Sequence, residues 1–160
     1  MTERMEQASR LFREGYNCSQ SVVLAFADLL PVSPEHAAKL ASSFGGGMGR
    51  LREVCGAVSG MLIVAGLLYG YGTPERGSVK QTHYERVQDL ALAFEKSHGS
   101  LVCRELLGLK GRHDTPAPAP RTAEFYQKRP CERLICDAAG ILEAYLRDHP
   151  PAQPGSERNV

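Results

Sequence analysis

Five cysteines, at positions 18, 55, 103, 131 and 136, are the residues of this 160-residue chain best suited to chemistry. A thiolate attacks disulfides and binds soft metals, so thiols in pairs suit redox exchange and thiols in fours suit zinc or an iron–sulfur cluster. The first four are separated by 37, 48 and 28 residues. No Cys-x-x-Cys pair of the thioredoxin kind is present, and structural zinc sites too take ligands in close pairs. Three readings stay open on the residues alone. The first is a thiol–disulfide or electron-transfer protein, in which four cysteines allow three complete pairings. The second is a helical module holding zinc or an iron–sulfur cluster through Cys18, Cys55, Cys103 and Cys131. The third is a helical interaction protein whose thiols pack as small hydrophobes.

The elements that must carry these cysteines are helices. Periods of three and four dominate, and no stretch alternates convincingly as a strand. A first helix is expected over Glu3–Glu14, closed by Gly15. A second starts at Asn17, a good cap residue, and continues to about Leu30, with Val22, Ala25, Phe26 and Leu29 inward. Ser33-Pro34-Glu35 opens a third helix reaching about Ser43. Gly45-Gly-Gly-Met-Gly49 is expected as a flexible turn; it lacks the preceding strand of a dinucleotide-binding loop. Further helices are expected from Val79 to Lys96, with Val87, Leu90, Ala91 and Phe94 inward, and from Leu101 to Leu107. Gly111 to Arg129, with Pro116, Pro118 and Pro120, is expected as an irregular surface loop. The last helix begins after Pro130 and ends near Asp148.

The chain is organised around Arg52 to Gly70. No charged residue occurs from Val54 to Pro74, and a helix that is apolar all round belongs inside a bundle. On a helical wheel Ser59, Gly66 and Gly70 share the side of Cys55, with Gly56 and Gly60 adjacent. A neighbouring backbone or a ligand can approach closely there. The expected fold is all-α: a single-domain bundle of about five to seven helices around this central glycine-containing helix. The domain spans residues 1–148, and 149–160 is expected as a disordered tail.

Helical phase sorts the cysteines. Cys18, Cys103 and Cys131 fall in first turns, where unpaired amides and the positive end of the helix favour a thiolate. In the last helix Leu134, Ile135, Ala138, Ile141, Leu142 and Tyr145 mark the core face, with Cys131 near its centre. Cys136 lies about 140° away at about 100° per residue, so it reads as a bystander. Arg50 and Arg52 stand at the mouth of the central helix, where they could pair with a thiolate or an anionic ligand. Of the five histidines, His98 is the best placed, just before the Cys103 helix.

A net charge of +1 with dispersed basic residues argues against nucleic acid and against a polybasic membrane patch. The five glycines between Gly56 and Gly72 weigh against a membrane span. Met1-Thr-Glu-Arg-Met-Glu6 lacks the apolar run of a signal peptide, so a reducing, cytoplasmic setting is expected. Composition names neither a cofactor nor a substrate. The expected partner is a redox partner or small molecule, and a homodimer is allowed.

Several segments together are distinctive: Gly15-Tyr-Asn-Cys18-Ser-Gln-Ser-Val22, Phe44-Gly-Gly-Gly-Met-Gly49, Cys55-Gly-Ala-Val-Ser-Gly60, Cys103-Arg-Glu-Leu-Leu-Gly108 and Cys131. Across about Leu11 to Leu146 the chain resembles the C_GCAxxG_C_C family of redox-active proteins, named for a Cys…Cys-Gly-Ala-x-x-Gly…Cys…Cys pattern. The resemblance implies that Cys18, Cys55, Cys103 and Cys131 are the functional set and leaves Cys136 outside it. It implies no particular substrate.

Overall fold

The computed structural model describes residues 1–74, 77–111 and 113–152. Most of the tail expected to be disordered, residues 153–160, lies outside the described residues. Helices dominate: α1 (Glu3–Arg13), α2 (Cys18–Leu24), α3 (Pro34–Ala41), α4 (Gly45–Met48), α5 (Gly56–Tyr69), α6 (Ser78–His98), α7 (Cys103–Leu106), α8 (Ala123–Lys128) and α9 (Cys131–Asp148). The protein is a single all-α domain. No strand occurs among the described residues, whose one β-bridge pairs Val54 with Val102. No described helix is long and apolar enough to cross a membrane.

Local chemistry sets the helix starts. Asn17 accepts from the Gln20 amide while the Gln20 side chain accepts from the Asn17 amide, a reciprocal cap that opens α2. Ser33 caps α3 with Pro34 at its first position. Helix α2 stops at Leu24, six residues short of the expected end, because the chain turns into a 3-10 segment at Ala27–Leu29. The Arg4 guanidinium takes over the freed carbonyl, donating to Ala25 O at 2.7 Å, and also binds Asp28. Val22, Ala25 and Phe26 are buried as expected, but the turn leaves Leu29 exposed. The expected loop over Gly111–Arg129 also holds a helix. Thr122 caps α8 by accepting from the Phe125 amide, and Phe125 and Tyr126 then pack on Phe12.

The core lies where α5 meets α2, α9 and α6, with α1 laid along α9. Phe26, Met61, Leu90, Phe94, Ile135 and Leu142 are fully buried. No residue of α5 is exposed, although Leu62, Ile63, Leu67 and Leu68 in its second half are only half-buried. Ser9 and Arg13 both bind Glu132, and the Tyr69 hydroxyl donates to His149 O at 2.6 Å. These contacts tie both ends of α9 to its neighbours.

The close helix approach involves Gly56 and Gly60 rather than Gly66. A Cβ built on Gly60 would stand 2.7 Å from the Ser19 carbonyl oxygen, whereas one built on Gly66 meets nothing within 4 Å. This corrects the expected small-residue face. The backbone of α2 lies against the first turn of α5, and the later glycines contribute no crossing. Gly60→Ala should therefore destabilise the fold by about 1–3 kcal/mol through overpacking. Gly66→Ala should stabilise it by up to about 1 kcal/mol through helix propensity. Urea unfolding of the two variants checks the contrast, and equal effects would contradict the crossing described.

Candidate functional site

All four ordered cysteines line one cavity of about 270 Å³. Cys18, Cys103 and Cys131 are the first residues of α2, α7 and α9, and Cys55 is the cap residue just before α5. The sequence expected Cys55 within the central helix; its extended backbone (φ −54°, ψ 130°) instead sets it at the helix mouth. Every described cysteine is a free thiol. Cys136 does not line the cavity; it is buried against α1, with its sulfur 3.6 Å from Met5 O. His98 is likewise elsewhere, with its Nε2 3.2 Å from Asp137 Oδ2 and its ring packed on Phe94.

Backbone pairing holds two of the thiols together. The Cys55 amide donates to Leu101 O at 2.8 Å and the Cys103 amide to Glu53 O at 2.6 Å. The Arg104 amide adds a bond to Arg52 O at 3.2 Å. Together with the Val54–Val102 bridge, these bonds keep residues 53–55 out of helix and delay α5 until Gly56. A bridge of one residue per side leaves no alternation to read in a sequence.

The glycine-rich segment is an ordered left-handed turn rather than a flexible one. Five consecutive residues, Gly46 to Arg50, have φ between 63° and 71°, and Arg52 follows at 60°. Left-handed backbone costs about 1–2 kcal/mol per non-glycine residue, so three strained residues in one short loop mark a place where geometry is imposed. At Gly47 a Cβ would stand 2.7 Å from Cys103 Cβ and 2.8 Å from the Glu53 amide nitrogen. Only glycine lets the turn close over the Cys103 segment.

That closure delivers the cations. Arg52 is buried, with its side chain 3% exposed. Its Nη1 lies 3.7 Å from Cys103 Sγ, and its Nη2 donates to Asp114 at 2.9 Å. Arg50 binds the same carboxylate at 2.9 Å, and the two guanidiniums bring Asp114 down to about 2. Sequence reasoning singled out both arginines and missed Asp114, which stands 62 residues beyond Arg52. It also missed two other arginines that line the cavity, Arg121 and Arg129. Arg121 donates to the carbonyls of Phe12 and Tyr16. Arg129 lies over the Phe125 ring, with its guanidinium carbon 5.1 Å from the centroid. Its place two residues before Cys131 was the available signal. Pro116, Pro118 and Ala119 also line the cavity, and among the described residues no Asp or Glu does.

The helix-start argument predicted acidic thiols, but burial outweighs it. Burial pushes the Cys18 thiol up, against the Gly46 amide, which favours its thiolate. Burial raises Cys55 as well, with Cys18 adding to the rise and the amides of Ala57 and Val58 opposing it. Cys131 is pushed up to about 12 by burial, with Cys18 and Cys103 adding to it. These mutual effects place the thiols close enough to feel one another's charge, and Cys18 and Cys103 are each coupled to the other three. Among the described residues, no group of three or more His, Cys, Asp or Glu side chains is arranged to hold a metal ion.

Two outcomes follow. A Cβ on Gly56 would collide with Cys18 Sγ and lie 2.8 Å from Phe44 O. Gly56→Leu should therefore displace α2 from the cavity and change the labelling rate of Cys18, while circular dichroism reports nearly unchanged helicity. The pH dependence has a definite sign. With its folded value raised from 9.0 to about 12, Cys131 keeps its proton where the unfolded chain releases it. Its contribution to stability is complete below about pH 9 and declines as pH rises toward 12. Unfolding midpoints between pH 8 and 11 should fall less steeply in Cys131→Ala, by at most about 1.4 kcal/mol per pH unit.

A family model described as "Putative redox-active protein (C_GCAxxG_C_C)" matches residues 16–145. No curated protein and no solved structure gives a significant match. The family match covers most of the chain and contains all four cavity cysteines, Cys55-Gly56-Ala57 and Gly60 among its residues, and so the protein belongs to the C_GCAxxG_C_C family.

Proposed function

We propose that this protein carries out thiol–disulfide exchange in the cavity formed by Cys18, Cys55, Cys103 and Cys131. The observation that carries the reading is the meeting of four free thiols in one cavity with a buried guanidinium set against one of them. Exchange needs a thiolate to attack and a second thiol close by to resolve the mixed disulfide. Cys103 is the attacking thiol in this reading, because Arg52 supplies a positive charge to its sulfur. Cys18 is the resolving thiol in this reading, since it lines the same cavity and is, besides Cys103 itself, the thiol whose charge bears on all the others. A reducing, cytoplasmic compartment suits such a set, which must return to free thiols between cycles.

The test is equilibration of anaerobic protein in dithiothreitol redox buffers, followed by alkylation and mass spectrometry of each cysteine. Two cavity thiols should disappear together and reversibly as the buffer becomes oxidising, while Cys136 stays alkylatable after denaturation at every potential. Cys103→Ser and Cys18→Ser should each abolish the first oxidation, and Cys136→Ser should leave it unchanged. Reversible oxidation that follows Cys136, or no reversible oxidation, would overturn the proposal.

A further inference from the structure

The exchange reading leaves open what enters the cavity, and the cavity's charge bears on that question. Among the described residues four arginines line it, at positions 50, 52, 121 and 129, and no acidic side chain does. Asp114 answers Arg50 and Arg52 from beside the cavity and is shared between them. Arg121 spends its donors on two backbone carbonyls. The Arg129 guanidinium has no hydrogen-bond or carboxylate partner among the described residues and rests on the Phe125 ring. Arg52, though buried, keeps its Nε without a partner among them. The site thus holds more positive charge than it neutralises, and unpaired buried donors are costly.

The remaining wall is apolar. Phe12, Leu106, Leu107, Phe125 and Leu134 face the space between the arginines and the thiols. The volume of about 270 Å³ suits a ligand on the order of ten heavy atoms, at about 30 Å³ per water-sized group. A bare inorganic anion would satisfy the charge but leave this apolar surface unused. A short hydrocarbon arm ending in a carboxylate would use both.

We infer that the cavity takes a small organic disulfide bearing carboxylates, with a carboxylate held by Arg129 at the mouth and the sulfur–sulfur bond over Cys103 beside Arg52. This rests on the exchange reading above and names its substrate class. The Cys103 thiolate attacks one ligand sulfur, forming a mixed disulfide while the ligand's S–S bond breaks. The departing thiolate takes up a proton. Cys18 then gives up its proton and attacks the Cys103 sulfur, breaking the mixed disulfide and releasing the second ligand thiolate, which is protonated in turn. The ligand gains two electrons and leaves as two thiols; the protein loses two and keeps a Cys18–Cys103 disulfide.

A charge series tests this with the reduced full chain. The probes are 3,3′-dithiodipropionate (two carboxylates), bis(2-hydroxyethyl) disulfide (neutral) and cystamine (two ammonium groups). Suberate, which has two methylenes in place of the two sulfurs, serves as an unreactive competitor. At low ionic strength the dicarboxylate should react at least about tenfold faster than the neutral disulfide, with cystamine slowest. Suberate should slow only the dicarboxylate. Arg129→Gln should shrink the preference to less than about threefold, and Arg129→Lys should restore part of it. Equal rates for all three disulfides, without competition by suberate, would overturn the carboxylate assignment and leave the exchange reading standing. If none of the three reacts, the exchange reading falls and the substrate class falls with it. A preference that survives in Arg129→Gln would remove Arg129 from the recognition of the carboxylate.

Discussion

The site depends first on two backbones being allowed to touch. Where α2 crosses the start of α5, Gly56 and Gly60 leave no side chain between the helices, and Cys18 Sγ occupies the space that a Gly56 Cβ would need. Everything that follows inherits this contact. The start of α2 is brought level with the mouth of α5, so two cysteines 37 residues apart become neighbours. The antiparallel bonds around Val54 and Val102 then bring in the Cys103 segment, and α9, packed against both α2 and α5, adds Cys131. Convergence of this kind is a packing result that no single segment could produce by itself.

The cavity sets two physical effects against each other. Helix starts offer amides to a sulfur and favour its charged form, while exclusion from water favours the neutral one. For Cys18, Cys55 and Cys131 exclusion prevails. In these three the neutral thiol is favoured over the thiolate. Arg52 is the exception to the neutral character of the floor, a buried cation whose partners are a carboxylate on one side and a sulfur on the other. The division of labour among the cysteines proposed above follows from this asymmetry, since helix position is common to all four.

Much of the architecture was legible because it is local. The caps at Asn17 and Ser33, the start after Pro130, the phase of α9 and the separation of Cys136 from Cys131 each depend on residues a few positions apart. The parts that were not legible depend on distant partners. Asp114 has no local signal, since its role is defined by Arg50 and Arg52. Helix α8 was hidden in a proline-rich stretch and gains its packing from Phe12, more than 100 residues earlier. The end of α2 moved because Arg4 could serve a carbonyl 21 positions away. The choice between Gly60 and Gly66 as the contact glycine likewise required knowing which face α2 would occupy.

The left-handed turn sets two selective demands against each other at one residue. At position 50 the backbone, with φ at 71°, suits glycine best, yet the cavity and Asp114 call for a guanidinium. A screen that rewarded thermal tolerance alone would score that arginine as a defect, and a screen that rewarded turnover would keep it. Met48, with the same backbone and an exposed side chain, carries the first demand without an evident second. The two positions together therefore form an internal control: one records what the turn costs the fold, the other what the fold tolerates in order to keep a charge at the mouth of the cavity.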